Sequence, residues 1–589
     1  MGHCIIKQRP ISEEIDDLSL ESPLLERIYR ARGIHSQGEL DRSLKRLIPF
    51  TELAHVKEAA ELILSHAKEG HSIVVVGDFD TDGATSVATM ISAMQDFGIE
   101  NVHYVIPNRF EYGYGLSIEI VDEAAERFNP KLLITVDCGV TNVEGVAHAK
   151  KKGMDVVVTD HHLPDDELPD ALIVNPNLKD STFPSKNLAG VGVAFYTMLA
   201  LRSTLNETGW FETRDLPYPN MAKYLDLVAL GTVADVVPLD YNNRLLVFHG
   251  LLRVKAGRAC TGLKAILAVS QRNVATMTAS DLSYAVAPRL NAAGRLSDMS
   301  IGVACLLSDD PAKSDLLAAQ LHDLNYERRQ IEVGMQQDAL EILKSFEGMD
   351  RENTPFGVVL YDEHWHQGVV GILASRVKDM LNKPVIVFTK TEEGALRGSA
   401  RSIDHFNIRD AIGRVAEKLP GAVVKFGGHA NAAGLTIASE QLAAFKKAFD
   451  EEVRALLTVD DFYREVLSDG PLASGEFNLD TAAMVRDAGP WGQAFQEPMF
   501  DNVFNVVEQR IVGQRHLKMA LQPEGGFDVI NAICFNVDLA EWPNESCQKI
   551  RAVYRLDINE YRGTNHLQLV IHHFEQHEAL IGIVEEEFA

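Results

Sequence analysis

The chain has 589 residues, with 56 Lys and Arg against 84 Asp and Glu, a formal net charge of -28 and 46% hydrophobic residues. That length holds about three or four domains, and the acidity argues against a long nonspecific DNA-wrapping surface while leaving a narrow basic groove open. The six cysteines (4, 138, 260, 305, 534, 547) form no C-x-x-C pair, no signal-type leader opens the chain, and no apolar run approaches the ~20 residues of a membrane span. The scattered cysteines point to reduced thiols rather than a disulfide framework or a zinc site, and the expectation is a soluble cytoplasmic protein.

Residues 1–50 carry a helical pattern at Pro23-Leu24-Leu25-Glu26-Arg27-Ile28-Tyr29 and are read as an N-terminal cap. From Ala54 onward, helix and strand signals alternate through 72–77, 102–107, 131–136, 155–159 and 172–175. Such alternation predicts βαβ units and a parallel sheet, placed in a domain of residues 51–300. A loop rich in Pro, Asp and Asn runs from Pro164 to Pro184. The segment 301–347 is read as a connection built on one helix from Pro311 to about Phe346, roughly 54 Å long at ~1.5 Å per residue. A second α/β domain follows at 348–457, with strands near 357–361 and 384–389 and glycine-rich turns at Gly427-Gly428 and Gly434. Short β-like runs at 503–507, 516–521, 530–535, 552–556 and 566–571 then predict an OB-like β-barrel over 458–578, with 579–589 as a tail. The fold class is α/β with this C-terminal barrel.

The chemistry concentrates where the first apolar strands end. Asp78, Asp80 and Asp82 occupy alternate positions after Val74-Val75-Val76-Gly77, Asp137 closes 132–136, and Asp160-His161-His162 closes 156–159. Open α/β sheets place their sites at the carboxyl edge. Two negative charges about 4 Å apart repel by roughly 4 kcal/mol at an effective dielectric of 20, so carboxylates converging there need divalent cations between them. The pattern is that of a two-metal hydrolase site.

With GDFDTDG, VDCG and the 160–162 triplet come NRFEYGYGL (108–116), LAGVGVAF (188–195), DLVALGTVADVVPL (226–239), APRLNAAGRL (287–296), WHQGVVGILASR (365–376), RGSARS (397–402), GGHANAAG (427–434), GPWGQAF (489–495) and RHLKM (515–519). In this set and order the chain resembles the DHH phosphoesterase superfamily over nearly its whole length, and within it the bacterial single-strand-specific exonucleases. The resemblance implies two Mn²⁺ or Mg²⁺ ions held by Asp78, Asp80, Asp82, Asp137, His161 and Asp235, with Asp137 bridging. Asp226 stays open as the alternative to Asp235. Asp137, His161 and His162 are the implied catalytic residues; His162 faces the phosphate or the nucleophilic water, and Asp160 orients an imidazole. The nitrogen of His161 in an oxygen-rich site favours Mn²⁺.

The resemblance also implies a 5′-phosphate pocket of Arg109, Ser399 and Arg401, with Tyr114 as a wall that admits one strand and His429 near the metals. Arg289, Asn291, Arg295, His366 and Arg376 are further DNA contacts. The implied activity is 5′-to-3′ hydrolysis of single-stranded DNA to 5′-mononucleotides in repair and recombination, by a monomer acting beside single-strand binding protein and a helicase, without a membrane. A DHH phosphatase or phosphodiesterase acting on oligonucleotides or small phosphates is the alternative, and an inactive DNA-binding scaffold would have lost ligand carboxylates. In the barrel, Arg510, Arg515, His516 and Lys518 with Trp491, Phe495 and Phe500 suit a stacking platform for single strands; those aromatics equally suit a barrel core.

Overall fold

Five apolar runs pair into a parallel sheet in the spatial order Val102–Val105, Ile73–Gly77, Leu132–Val136, Asp155–Thr159, Leu172–Val174. Ile73–Gly77 and Leu132–Val136 are buried at every position, as a sheet covered by helices on both faces requires. The register sets Gly77 beside Val136 and Val136 beside Thr159. Asp78, Asp137 and Asp160 therefore leave three neighbouring strands side by side, with strands spaced ~4.8 Å apart. The structure is a computed structural model that describes residues 4–11, 18, 20–112, 115–346, 354–561 and 563–577.

Helices carry the remaining groups. Thr81–Asp96 starts directly from the first strand, with Asp80 as its N-cap accepting from the Gly83 N–H. Gly190–Glu207 packs on that helix, and Leu225–Ala234 ends with Asp235 as its C-cap. Asp235 thus comes off a helix end, whereas Asp78 and Asp137 come off strand ends.

Pro311–Leu343 forms one helix of 33 residues, and a 3₁₀ turn at Lys344–Phe346 takes its last expected residues. Its buried positions, Ser314, Ala318, Leu321, Asn325, Arg328, Glu332, Met335 and Ala339, recur every three or four residues as one continuous face. The first half packs on Thr261–Ser270, Ala287–Leu296 and Ser300–Leu307. Met335 and Ala339 join the core of the second α/β domain with Val358, Leu360, Trp365 and Leu373. That domain holds a mixed sheet in the order Val423–Gly428, Ala432–Ile437, Leu396–Arg401, Val385–Lys390, Val358–Tyr361. Both α/β domains and the long helix lie in one compact unit, 48–237 with 249–464.

Residues 4–47, 238–248 and the chain from Glu465 onward form a second unit. Phe500–Val512, His516–Pro523, Ile530–Cys534, Thr564–Gln576 and Lys549–Tyr561 close a barrel in that order. The N-terminal residues, expected as a separate cap, share this unit: Arg32 donates to both carboxylate oxygens of Asp469 at 2.7 and 3.0 Å, and Tyr29 Oη donates to the Ala488 carbonyl at 2.9 Å. Trp491, Phe495 and Phe500 are buried, and Trp491 stacks on Phe495 at 5.1 Å. They are core side chains, the second of the two roles open to them. Arg510 and Lys518 are register partners on neighbouring strands. The tail 579–589 lies outside the described residues. Among the described residues no helix is long and apolar enough to cross a membrane.

Candidate active site

At the carboxyl edge of the parallel sheet, donor atoms of Asp78, Asp80 and Asp137 lie within 4.8 Å of one another, as do those of Asp82, His161 and Asp235, and those of Asp137, His161 and His162. Asp137 joins the groups: its Oδ1 is 3.1 Å from His161 Nε2, which is 3.5 Å from Asp235 Oδ2. Asp226 stands apart. Its carboxylate accepts from the Cys260 N–H at 2.7 Å and faces Arg253 at 3.8 Å, so it ties a helix to a following turn.

Local backbone explains how the groups come so close. Asp137 adopts φ of 60°, a left-handed conformation that costs about 1–3 kcal/mol in a non-glycine residue and persists where the surroundings over-determine it. Gly190 makes room for it, since a Cβ there would lie 2.5 Å from the Asp137 Cβ. Gly190 and Val191 also donate their N–H groups to the two oxygens of Asp82, at 2.7 and 3.0 Å. Asp82 is therefore held on the positive end of the Gly190–Glu207 helix.

The electrostatics call for cations. Burial and then Asp80 push the Asp78 carboxyl well above its ordinary range; burial and the neighbouring carboxylates do the same to Asp137 and Asp235. Asp82, buried and beside Asp80, is pushed up to about 7. Burial and the charge of His162 bring His161 down to about 3, so it is a neutral donor. Asp78 Oδ1 and His161 Nε2 are buried without a hydrogen-bond partner, which native proteins avoid unless something else satisfies such atoms. This donor set, carboxylates around one neutral imidazole, fits Mn²⁺ or Mg²⁺.

The 160–162 triplet divides its labour. Asp160 Oδ1 accepts from the backbone N–H groups of His161 and His162 at 2.7 and 3.1 Å and from His162 Nδ1 at 2.8 Å, while Oδ2 accepts from Val140 N at 2.9 Å. Asp160 orients its neighbours. Burial opposes a charge on His162, but the hydrogen bond to Asp160 and the charges of Asp160, Asp235 and Asp78 outweigh it and push the imidazole to about 9. Asn175 and Asn177 fix the same turn from the next strand end: their amides donate to the His162 and His161 carbonyls at 2.9 and 2.6 Å. Neither Asn was expected from sequence, although the run Asn175-Pro176-Asn177 after an apolar strand carries the signal.

A cation cluster adjoins the carboxylates. The Arg109 guanidinium lies 4.5 Å over the Phe79 ring; burial lowers its pKa, Asp78 and Asp80 oppose that, and Arg397 adds to it. Burial and the charges of Arg109, Arg328 and Arg401 bring Arg295 down to about 10. Arg401, lowered by burial and by Arg109, donates to Ser399 Oγ at 3.0 Å and Ser375 Oγ at 3.2 Å. A Cβ on Gly371 would stand 3.1 Å from both Arg401 and Ser399, so the first turn of the Val370–Leu381 helix abuts them. Guanidinium groups crowded beside a helix N-terminus make an anion site. Arg397 was not singled out in the sequence, although RGSARS contains it.

His162, Asp235 and His429 line one open cleft with Arg409, and the His162 and His429 rings are stacked at 6.4 Å. His366 accepts from the Gly368 N–H at 3.1 Å and meets the edge of Phe110. Three residues expected as DNA contacts also have protein partners. Arg289 Nε faces His322 at 3.2 Å, Arg376 pairs with Glu332 at 2.9 Å, and Asn291 holds Thr81 at 2.8 Å. The motifs that carry these residues do not show which helix lies across from them. Tyr114 lies outside the described residues.

Fold and site together are those of a DHH-type phosphoesterase. The model of the DHH family, N-terminal domain, matches residues 72–232, that of the DHHA1 domain 354–455, and that of the RecJ OB domain 468–573. The chain belongs to the RecJ family of single-stranded-DNA-specific exonucleases. It is 49% identical to the Escherichia coli K12 protein of that name over 96% of this chain and 98% of that one, and 33% identical to the Bacillus subtilis 168 protein over 96% and 70%. The crystal structure of RecJ in complex with Mn²⁺ from Thermus thermophilus aligns at a TM-score of 0.77 with 30% identity, covering 95% of this chain and 76% of that one.

Proposed function

We propose that the protein is a metal-dependent exonuclease that hydrolyses single-stranded DNA from the 5′ end and releases 5′-mononucleotides. The carrying observation is the adjacency of two opposed clusters in one unit: carboxylates with His161 at the sheet edge, and Arg109, Arg295 and Arg401 beside them. Asp78, Asp80 and Asp137 would hold one cation and Asp82, His161 and Asp235 the other, with Asp137 shared. Two bound Mn²⁺ or Mg²⁺ ions supply the Lewis acidity that activates water and neutralises the phosphoryl oxygens. His162, pushed up to about 9 with the help of Asp160, would donate to a phosphate oxygen, and His429 lines the same cleft. Arg109, Arg295, Arg397, Ser399 and Arg401 would take the terminal phosphate. A fixed 5′ phosphate next to the metals sets polarity and a one-nucleotide step. In the barrel, Arg510 and Lys518, register partners on neighbouring strands, would offer a basic pair to single-stranded DNA.

The same reading places the enzyme in the cytoplasm as a monomer, in DNA repair and recombination, working with single-strand binding protein and a helicase that deliver single strands.

The test uses one oligonucleotide labelled at either end, single-stranded or annealed, with Mn²⁺ or EDTA. Mononucleotide release from the 5′ end of the single strand alone, abolished by EDTA, is expected. Cleavage restricted to dinucleotides, or release from the 3′ end, overturns the proposal.

A further inference from the structure

The Ala287–Leu296 helix touches the metal-binding turn at three points of one face. The Thr81 hydroxyl, with one proton to donate, lies 3.1 Å from the Ala287 carbonyl, the longer of its two acceptor contacts. Asn291 Oδ1 accepts from both the backbone N–H and the hydroxyl of Thr81, each at 2.8 Å. Gly294 lies against the Phe79 carbonyl, where a Cβ would come within 2.0 Å of the oxygen. Positions 287, 291 and 294 are four and three apart, so they share a face of the helix.

Thr81 sits between Asp80 and Asp82, at the first position of the Thr81–Asp96 helix. The first four N–H groups of a helix have no partner within it. Here Asp80 accepts from Gly83, and Asn291 reaches across from another helix to take the N–H of Thr81. Both lone pairs of the Asn291 oxygen are engaged by Thr81. We propose that Asn291 is a positioning residue for the metal site: by satisfying both Thr81 donors, it keeps them from competing for the Asp80 and Asp82 carboxylates and fixes the direction in which those carboxylates point. The inference rests on the two-metal reading above. It differs from the reading of Asn291 as a contact to the DNA backbone, because it makes metal affinity the property that Asn291 controls.

The experiment compares metal-free wild type, Asn291→Ala, Asn291→Asp, Thr81→Val and the double variant Asn291→Ala/Thr81→Val. Mn²⁺ affinity is read from the electron paramagnetic resonance of free Mn²⁺. Affinity for a 5′-phosphorylated single strand is read by fluorescence anisotropy in EDTA, and folding by circular dichroism. Loss of a group that orients metal ligands costs roughly 10- to 100-fold in metal affinity, so Asn291→Ala should weaken Mn²⁺ binding by that factor with oligonucleotide affinity unchanged. Asn291→Asp, which keeps the acceptor oxygen, should bind Mn²⁺ more tightly than Asn291→Ala. The double variant should be no weaker than Asn291→Ala, because residues acting through one contact are non-additive. If Asn291→Ala does not fold, Thr81→Val carries the test with the same expected direction. Unchanged Mn²⁺ affinity with weakened oligonucleotide binding overturns the inference, as do additive losses in the double variant. If the wild type itself binds no Mn²⁺, the two-metal reading fails and the inference with it; if the wild type binds and the variants match it, only the positioning role falls.

Discussion

Buried Asp160 and part-exposed His162 form an ion pair in which the imidazole Nδ1 donates to Asp160 Oδ1 at 2.8 Å, and the ring lines the cleft. The carboxylate also accepts three backbone N–H groups, so it sets both the turn and the charge. Asp160→Asn keeps one acceptor oxygen and loses the charge. Single-turnover cleavage should slow by roughly 10- to 100-fold, while calorimetric titration still finds bound Mn²⁺, as expected for a partner that orients ligands without being one.

Metal loading should be coupled to proton release. In the metal-free fold Asp82 is pushed up to about 7, and Asp78, Asp137 and Asp235 lie well above their ordinary 3.8, so cations binding there displace protons. A carboxyl raised in the fold contributes stability that is full below its unfolded value and is lost as pH rises through its folded value. The metal-free Tm should therefore fall as pH rises through about 7, and added Mn²⁺ should raise Tm most on the alkaline side. Differential scanning fluorimetry with and without EDTA checks this; a metal-induced shift that grows toward acid pH contradicts it.

Gly190→Ala inserts a methyl group 2.5 Å from the Asp137 Cβ at the turn that also donates to Asp82. Cleavage should fall by at least the roughly 10- to 100-fold typical of displaced ligands. Asp137→Ala should abolish cleavage altogether while single-strand binding in EDTA survives. Full residual activity of Asp137→Ala removes it from the metal centre.

The cation cluster should govern recognition of the strand end. Arg401→Lys keeps a charge but loses the planar fork that reaches Ser399 and Ser375, and the two side chains are not interchangeable at such sites. The expected result is a loss of preference for 5′-phosphorylated over 5′-hydroxyl oligonucleotides, measured as the ratio of kcat/KM. An unchanged ratio assigns the phosphate elsewhere.

Glu332 braces the long helix against the second domain. Buried on that helix, it accepts from Arg328 at 2.7 Å and Arg376 at 2.9 Å. Removing one partner of a buried pair strands the other charge, so Glu332→Ala should cost about 3 kcal/mol. Arg376 is more than half exposed, and Arg376→Ala should cost about 0.5 kcal/mol without weakening oligonucleotide binding. Urea unfolding and anisotropy separate the two effects.

Local pattern in the chain determined the architecture that positions the site. Buried apolar runs ending in Asp78, Asp137 and Asp160 announce strands whose carboxyl ends gather ligands, because period-2 alternation and uninterrupted apolar burial are properties of a few consecutive residues. The long helix was legible for the same reason, its buried face recurring every three or four residues. Tertiary structure decided what depends on approach between distant segments. Asp226 and Asp235 both flank apolar runs, and only the packing of their helix sends Asp235 toward His161 and Asp226 toward Cys260. For Asn291, Arg289 and Arg376 the packing of helices supplies partners that the motifs do not show: Thr81, His322 and Glu332. Trp491 and Phe495, open to either role in the sequence, are core because Tyr29 packs on both rings. A side chain's partner is set by what the fold brings across from it, and one chain's sequence carries no direct record of that distance.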